Sequence, residues 1–140
     1  MAEPHLSRRY ADLHEHLAAL EKAGLLITVD RAINKDTEMH PLVRWQFRGG
    51  IAEKDRKAFL FKNVTDSKGR KYDIPVVVGA LAASREIYRI GMGCPLDKIN
   101  ETWTRAIAHP IAPKIVEKAP CQDLEVEGLD RLPVPISTPG

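Results

Sequence analysis

YDIPVVVGALAASREIYRIGMGC, residues 72–94, is the stretch on which the fold turns. Ile74 to Val78 is an unbroken apolar run holding three consecutive valines. β-Branched side chains lose little in an extended backbone, and a run without polar alternation is what a strand covered on both faces looks like. Gly79 then frees the chain to turn. Ser84 is placed to cap a short helix carrying Ile87, Tyr88 and Ile90, which Gly91 and Gly93 end before Pro95. The expectation is the central strand of a mixed α/β domain, with its helix behind it.

Working back from there, AFLFKNV at Ala58–Val64 reads as a second strand. The turn residues Asp66, Ser67, Lys68 and Gly69 supply hairpin chemistry between the two. Phe59–Phe61 are therefore expected to pair antiparallel with Ile74–Val78. Upstream, Asp12 and Glu15 have capping-box spacing. Leu13, Leu17 and Leu20 share one helical stripe, so a helix is expected over Leu13–Lys22, closed by a left-handed Gly24. Leu25–Val29 alternates like a strand buried mainly on one side. A polar turn follows, with Asp36 or Thr37 as the next cap. Met39, Leu42, Val43 and Phe47 share a helical face, and Pro41 is tolerable only in that helix's first turn. Gly49 and Gly50 break it, and Glu53–Lys57 reads as a solvated loop or short helical turn.

Downstream, Leu96, Ile99, Trp103 and Ile107 repeat at helical spacing up to His109 and Pro110. Six of the ten prolines lie from Pro110 onward. Within that tail Leu124 and Val126 alternate with acidic residues, as in an edge strand. The organisation read from this is an N-terminal arm at 1–11, an α/β domain at 12–109 and a proline-rich extension at 110–140. The fold class is α/β: a small mixed β-sheet flanked by helices, followed by that proline-rich connection. Residues after about Leu132 carry too little apolar surface to be held without a partner.

Composition bounds the chemistry. The chain has 140 residues, 44% hydrophobic and 29% charged, with a formal net charge of +2. That length suits one domain, and the charge is too small to suggest nucleic acid as a partner. No apolar run approaches the roughly 20 residues of a membrane span. Two cysteines, Cys94 and Cys121, and no apolar leader at the N-terminus suggest a reduced, cytoplasmic setting.

His14 and His16 are two apart, where a shared metal would need i and i+4, and both are expected on a solvated surface. His40 precedes Pro41 without a second ligand nearby, and His109 stands at a helix end where it meets the dipole. Cys94 reads as a small apolar filler at a crowded turn in preference to an activated thiol. Gly91-x-Gly93 follows its helix instead of preceding it, so it is no nucleotide-binding fingerprint. Trp45 and Trp103 are expected in the core. No nucleophile is paired with a base. From the residues alone the catalytic, cofactor-binding and metal-binding sets are all none.

Resemblance adds to this. DLHEHLAALEKAGLLITVDRAINKDTEMHPLVRW, then AFLFKNV, IPVVVGALAASREIYRIGMG and PCQDLEVEGLDRLPVP, in that order, resemble the opening of the UbiD-type decarboxylases. The resemblance covers nearly the whole chain. It implies the N-terminal domain of an enzyme that removes or adds CO2 at unsaturated or aromatic acids. That chemistry uses prenylated FMN, a divalent metal (Mn or Mg) and potassium. It also implies that the cofactor-binding segment and a Glu-Arg-Glu constellation lie beyond Gly140. No residue here takes a catalytic role, and the 140-residue chain by itself is expected to be inactive and without cofactor. The expected partner is the catalytic domain of the same enzyme, a homo-oligomer when full length. Two other readings stay open: a non-catalytic adaptor that binds a larger partner through the proline-rich tail, and an independent ligand-binding domain built on the Gly79 turn.

Overall fold

The computed structural model describes residues 12–119, 122–123 and 127–128. The arm at 1–11, the strand at Leu124–Val126 and the segment past Leu132 lie outside the described residues.

The elements run α1 (Leu13–Lys22), β1 (Leu26–Asn34), α2 (His40–Arg48), β2 (Ala58–Thr65), β3 (Lys71–Tyr72), β4 (Val76–Val78), α3 (Arg85–Met92) and α4 (Ile99–Ala108). The N-cap of α1 is Asp12, whose Oδ1 accepts from the Glu15 amide at 3.1 Å. At its other end Gly24 adopts φ +69°. There the Leu25 amide donates to Leu20 O and the Gly24 amide to Glu21 O, the paired closure that a left-handed glycine permits.

Among the described residues the sheet has four strands. β2 lies inside it, parallel to β1 on one side and antiparallel to β3 and β4 on the other. The hairpin register matches the sequence reading, with Phe59 opposite Val78 and Phe61 opposite Val76. The central position does not. The valine run forms a three-residue edge strand, and β2 takes the middle. Pro75 has no amide to donate, so the second hairpin arm breaks into β3 and β4 with one extra residue between them.

Both faces of the sheet are covered nonetheless. Leu20, Ala58, Ala80, Ala83, Ile87 and Ile90 form one core beneath α1 and α3, with Val77 packed against it. Ile33, Met39, Val43, Phe59, Phe61 and Val64 form the other beneath α2, with Val76 and Val78 against it. Successive side chains of β4, and Ala58 and Phe59 at the start of β2, thus serve opposite cores, which is why these stretches show no polar alternation. The Phe59 and Phe61 rings stack 5.7 Å apart.

Four further expectations are corrected. β1 does not stop at Val29 but continues to Asn34, carried past the polar Asp30 and Arg31 by a register shift between Val29 and Ala32. The helical cap is Asn34, not Asp36 or Thr37. Its side chain accepts from both of their amides at the start of a π-helical turn, Lys35–Met39, that leads into α2. Gly91 lies inside α3, which closes at Gly93. Trp45 and Trp103 are not core: they are 61% and 47% exposed, because Trp45 lies back over Gly49 and, among the described residues, α4 packs chiefly on α3. The segment Glu53–Asp55 is a short 3-10 turn, as expected.

Candidate functional site

Three places bring polar or reactive groups against the cores. The first is the junction of α1, α3 and the turn after β4. Gly79 stands at φ +79°, and a Cβ there would meet Ala83 Cβ at 3.0 Å, so both its conformation and its crowding require glycine. The turn directs Ala80 O towards α1, where His16 Nε2 meets it at 2.8 Å. His16 is buried, contrary to the surface expected for it, while His14 is exposed beside Asp12. The spacing argument that the two histidines share no site holds. The signal that would have placed His16 inside is its position four residues before Leu20, on the inward stripe. The imidazole lies against Gly91, where an added Cβ would stand 3.4 Å from Cε1. His16 therefore joins three elements, and its ring does structural work.

The α3 N-terminus at this junction has the order of a phosphate-binding unit, strand, glycine turn, helix, but not its vacancy. Ser84 Oγ accepts from the Ile87 amide at 3.3 Å, and the Glu53 carboxylate accepts from the Arg85 amide. A carboxylate already fills the place that a phosphate oxygen would take. The described residues therefore do not fit a flavin phosphate here.

The second place is an open cavity of about 450 Å3 between α2 and β4. Met39, Val43, Phe47 and Val78 give it an apolar lining, with Lys35, His40 and Arg44 around it. Lys35 Nζ is paired with Asp36 Oδ1 at 2.7 Å, and Arg56 stacks its guanidinium 5.1 Å from the Phe47 ring. No carboxylate or thiol lines this cavity among the described residues, so it offers apolar contact and positive charge without an acid–base pair.

The third is the turn around Asp66. Its Oδ1 accepts from the Lys68 and Arg70 amides, both at 2.9 Å, and its Oδ2 from Tyr72 Oη at 3.1 Å. Burial works to raise the Asp66 carboxyl, but these hydrogen bonds outweigh it and hold the group below the usual carboxylate range. Asp36 Oδ2 accepts from the Ser67 amide, tying this turn to the π-helical segment before α2. Cys94 is a half-buried free thiol, and His109 is exposed at the end of α4. Cys94, His109 and His40 are not brought together with His16 into a site. Among the described residues no three His, Cys, Asp or Glu side chains converge to hold a metal. No helix there is long and apolar enough to cross a membrane.

Residues 17–107, from the first turns of α1 to the last turn of α4, match the family described as the 3-octaprenyl-4-hydroxybenzoate carboxy-lyase N-terminal domain, UbiD_N. The chain belongs to the UbiD family. The fold agrees with this. The chain superposes with TM-score 0.61 on an evolved dimeric form of the UbiD-class enzyme HmfF from Pelotomaculum thermopropionicum, solved in complex with prFMN. The two are 27% identical, over 76% of this chain and 22% of that one. A second HmfF structure, in complex with FMN, gives TM-score 0.57 at 30% identity, over 74% of this chain and 20% of that one. An uncharacterized protein of Archaeoglobus fulgidus is 24% identical over 89% of this chain and 28% of its own length. The chain thus spans less than a third of the length of each of these relatives.

Proposed function

We propose that this chain is the N-terminal, non-catalytic part of a UbiD-type enzyme that reversibly decarboxylates aromatic or α,β-unsaturated acids with prenylated FMN. The observation that carries the reading is the match of residues 17–107 to the family's N-terminal domain, joined to a fold shared with flavin-bound HmfF. When bound, the prenylated flavin supplies the electron sink for loss of CO2. It would be held with Mn or Mg and potassium by a catalytic domain elsewhere in the polypeptide. The filled α3 N-terminus supports keeping the cofactor off this domain. The domain's own task is to pack on the catalytic part and help enclose its cleft. Organisation as 1–11 arm, 12–109 domain and 110–140 connection, a cytoplasmic setting and assembly into a homo-oligomer belong to the same reading.

Two measurements test it. Reading the gene past the codon for Gly140 should find a UbiD-type catalytic segment in frame. Mixing the 140-residue chain with prenylated FMN, Mn and potassium, then desalting, should leave no flavin spectrum, and stoichiometric retention would overturn the assignment of roles.

A further inference from the structure

Among the described residues α4 buries none of its side chains, whereas α1, α2 and α3 each bury two. Ile99 is half-buried, and the large apolar residues beyond it face water. Trp103 is 47% exposed and Ile107, one turn on, 74%. Leu96 before the helix is 45% exposed, and Ile111 and Ile115 after it are 78% and 94% exposed. Single exposed apolar side chains are ordinary, but a run of them along one helix and its exit marks a surface meant to be covered. Trp103 is also held in place: its indole N–H donates to Tyr88 Oη at 2.5 Å, so α3 satisfies the ring's polar atom. An ordered tryptophan with its donor already used is the kind of anchor that interfaces are built around.

We propose that α4 and its exit, centred on Trp103 and Ile107, form the face against which the remainder of a UbiD-type polypeptide docks. The inference rests on the functional reading above and names the surface that reading leaves open. Its occupant follows from position and length. The match to the family's N-terminal domain ends at residue 107, inside α4, and in the two HmfF structures the superposed part is only 22% and 20% of the chain. Most of such a polypeptide lies outside this domain, and α4 is the element from which the matched domain is left. At the start of the matched domain, by contrast, Leu17 and Leu20 of α1 already pack in the core beneath α3.

Amide exchange in the natural polypeptide that carries this domain tests the proposal. Exchange over residues 99–111 in the unsubstituted protein should be at least tenfold slower than in Ile107→Lys, while β2 exchanges equally in both. Ile111→Lys, outside the helix, should release the same segment. Both side chains are largely exposed within the domain, so neither substitution removes a core contact. Equal rates over 99–111 in all three proteins overturn the docking face and leave the family reading standing. A gene that ends without a UbiD-type segment overturns the reading and the face together. Protection of 99–111 that rises with the concentration of the 140-residue chain alone assigns the face to a second copy and overturns the proposal.

Discussion

β2 and α4 are of similar length and both are rich in apolar residues, yet they meet opposite fates. β2 buries Ala58, Phe59, Phe61 and Val64; α4, with Ile99, Trp103 and Ile107, buries none among the described residues. The difference is one of neighbours. β2 has a strand on each side and helices over both faces, so Ala58, Phe59, Phe61 and Val64 all enter a core and only Lys62 and Asn63 are left in water. Among the described residues α4 meets α3 along one side and turns Trp103 and Ile107 outward. Apolar content says that a segment will be covered, and topology decides by what.

The comparison breaks most readily at Phe61, which is fully buried. Phe61→Ala should cost about 3–5 kcal/mol of unfolding free energy, from lost transfer energy and the cavity left behind. Urea denaturation showing a loss below about 1 kcal/mol would deny β2 its inner place. Gln46 comes next. Its buried amide donates to Lys57 O at 2.9 Å and accepts from the Lys57 amide at 3.0 Å, continuing the pairing just ahead of β2. Gln46→Ala strands both backbone groups and should cost about 1–3 kcal/mol by the same measurement.

Asp66 sharpens the comparison through pH. Its carboxyl titrates lower in the folded chain than in the unfolded one, so its stabilisation is present above the unfolded value, about pH 4. It is lost as the pH falls through the lower folded value. Thermal midpoints of the wild type and Asp66→Asn, followed from pH 6 down to pH 2, should therefore converge in acid. Parallel curves would mean that the turn beside β2 owes nothing to that charge. The smallest effect belongs to α4: Ile107→Ala in the 140-residue chain should change stability by less than about 0.5 kcal/mol. A loss matching that of Phe61→Ala would erase the distinction between the two regions.

What was legible in the sequence is what local chemistry fixes. Capping at Asp12 and Ser84, closure at Gly24 and the hairpin between Phe59–Phe61 and the valine run all depend on residues close in the chain, and all four hold. The parallel pairing of β1 with β2 depends on residues about thirty apart, and no turn signal announces it. That pairing moves β2 inward and leaves the valines at an edge. His16 was misjudged for a related reason, since its acceptor, Ala80 O, lies on a turn brought to it by the sheet. The cavity between α2 and β4 was invisible because its lining comes from segments that meet only through that topology. The tryptophans failed differently: their helical stripes are real, but a stripe does not reveal whether its partner lies within these residues.

The bond between His16 and Ala80 spans 64 positions of chain, and this has a consequence for the order in which the protein assembles. On the ribosome α1 is made first and the turn that receives its histidine much later, a delay of about 3–13 s at roughly 5–20 residues per second. A ten-residue helix is marginal in water without a surface to lie on. The hairpin of β2 with β3 and β4 closes a far shorter loop and is placed to form as soon as it emerges. α1, made before the other described elements, is then among the last to be seated, with Leu17 and Leu20 bare in the interval. Nascent chains halted before Ala80 are therefore the ones that chaperones should hold longest.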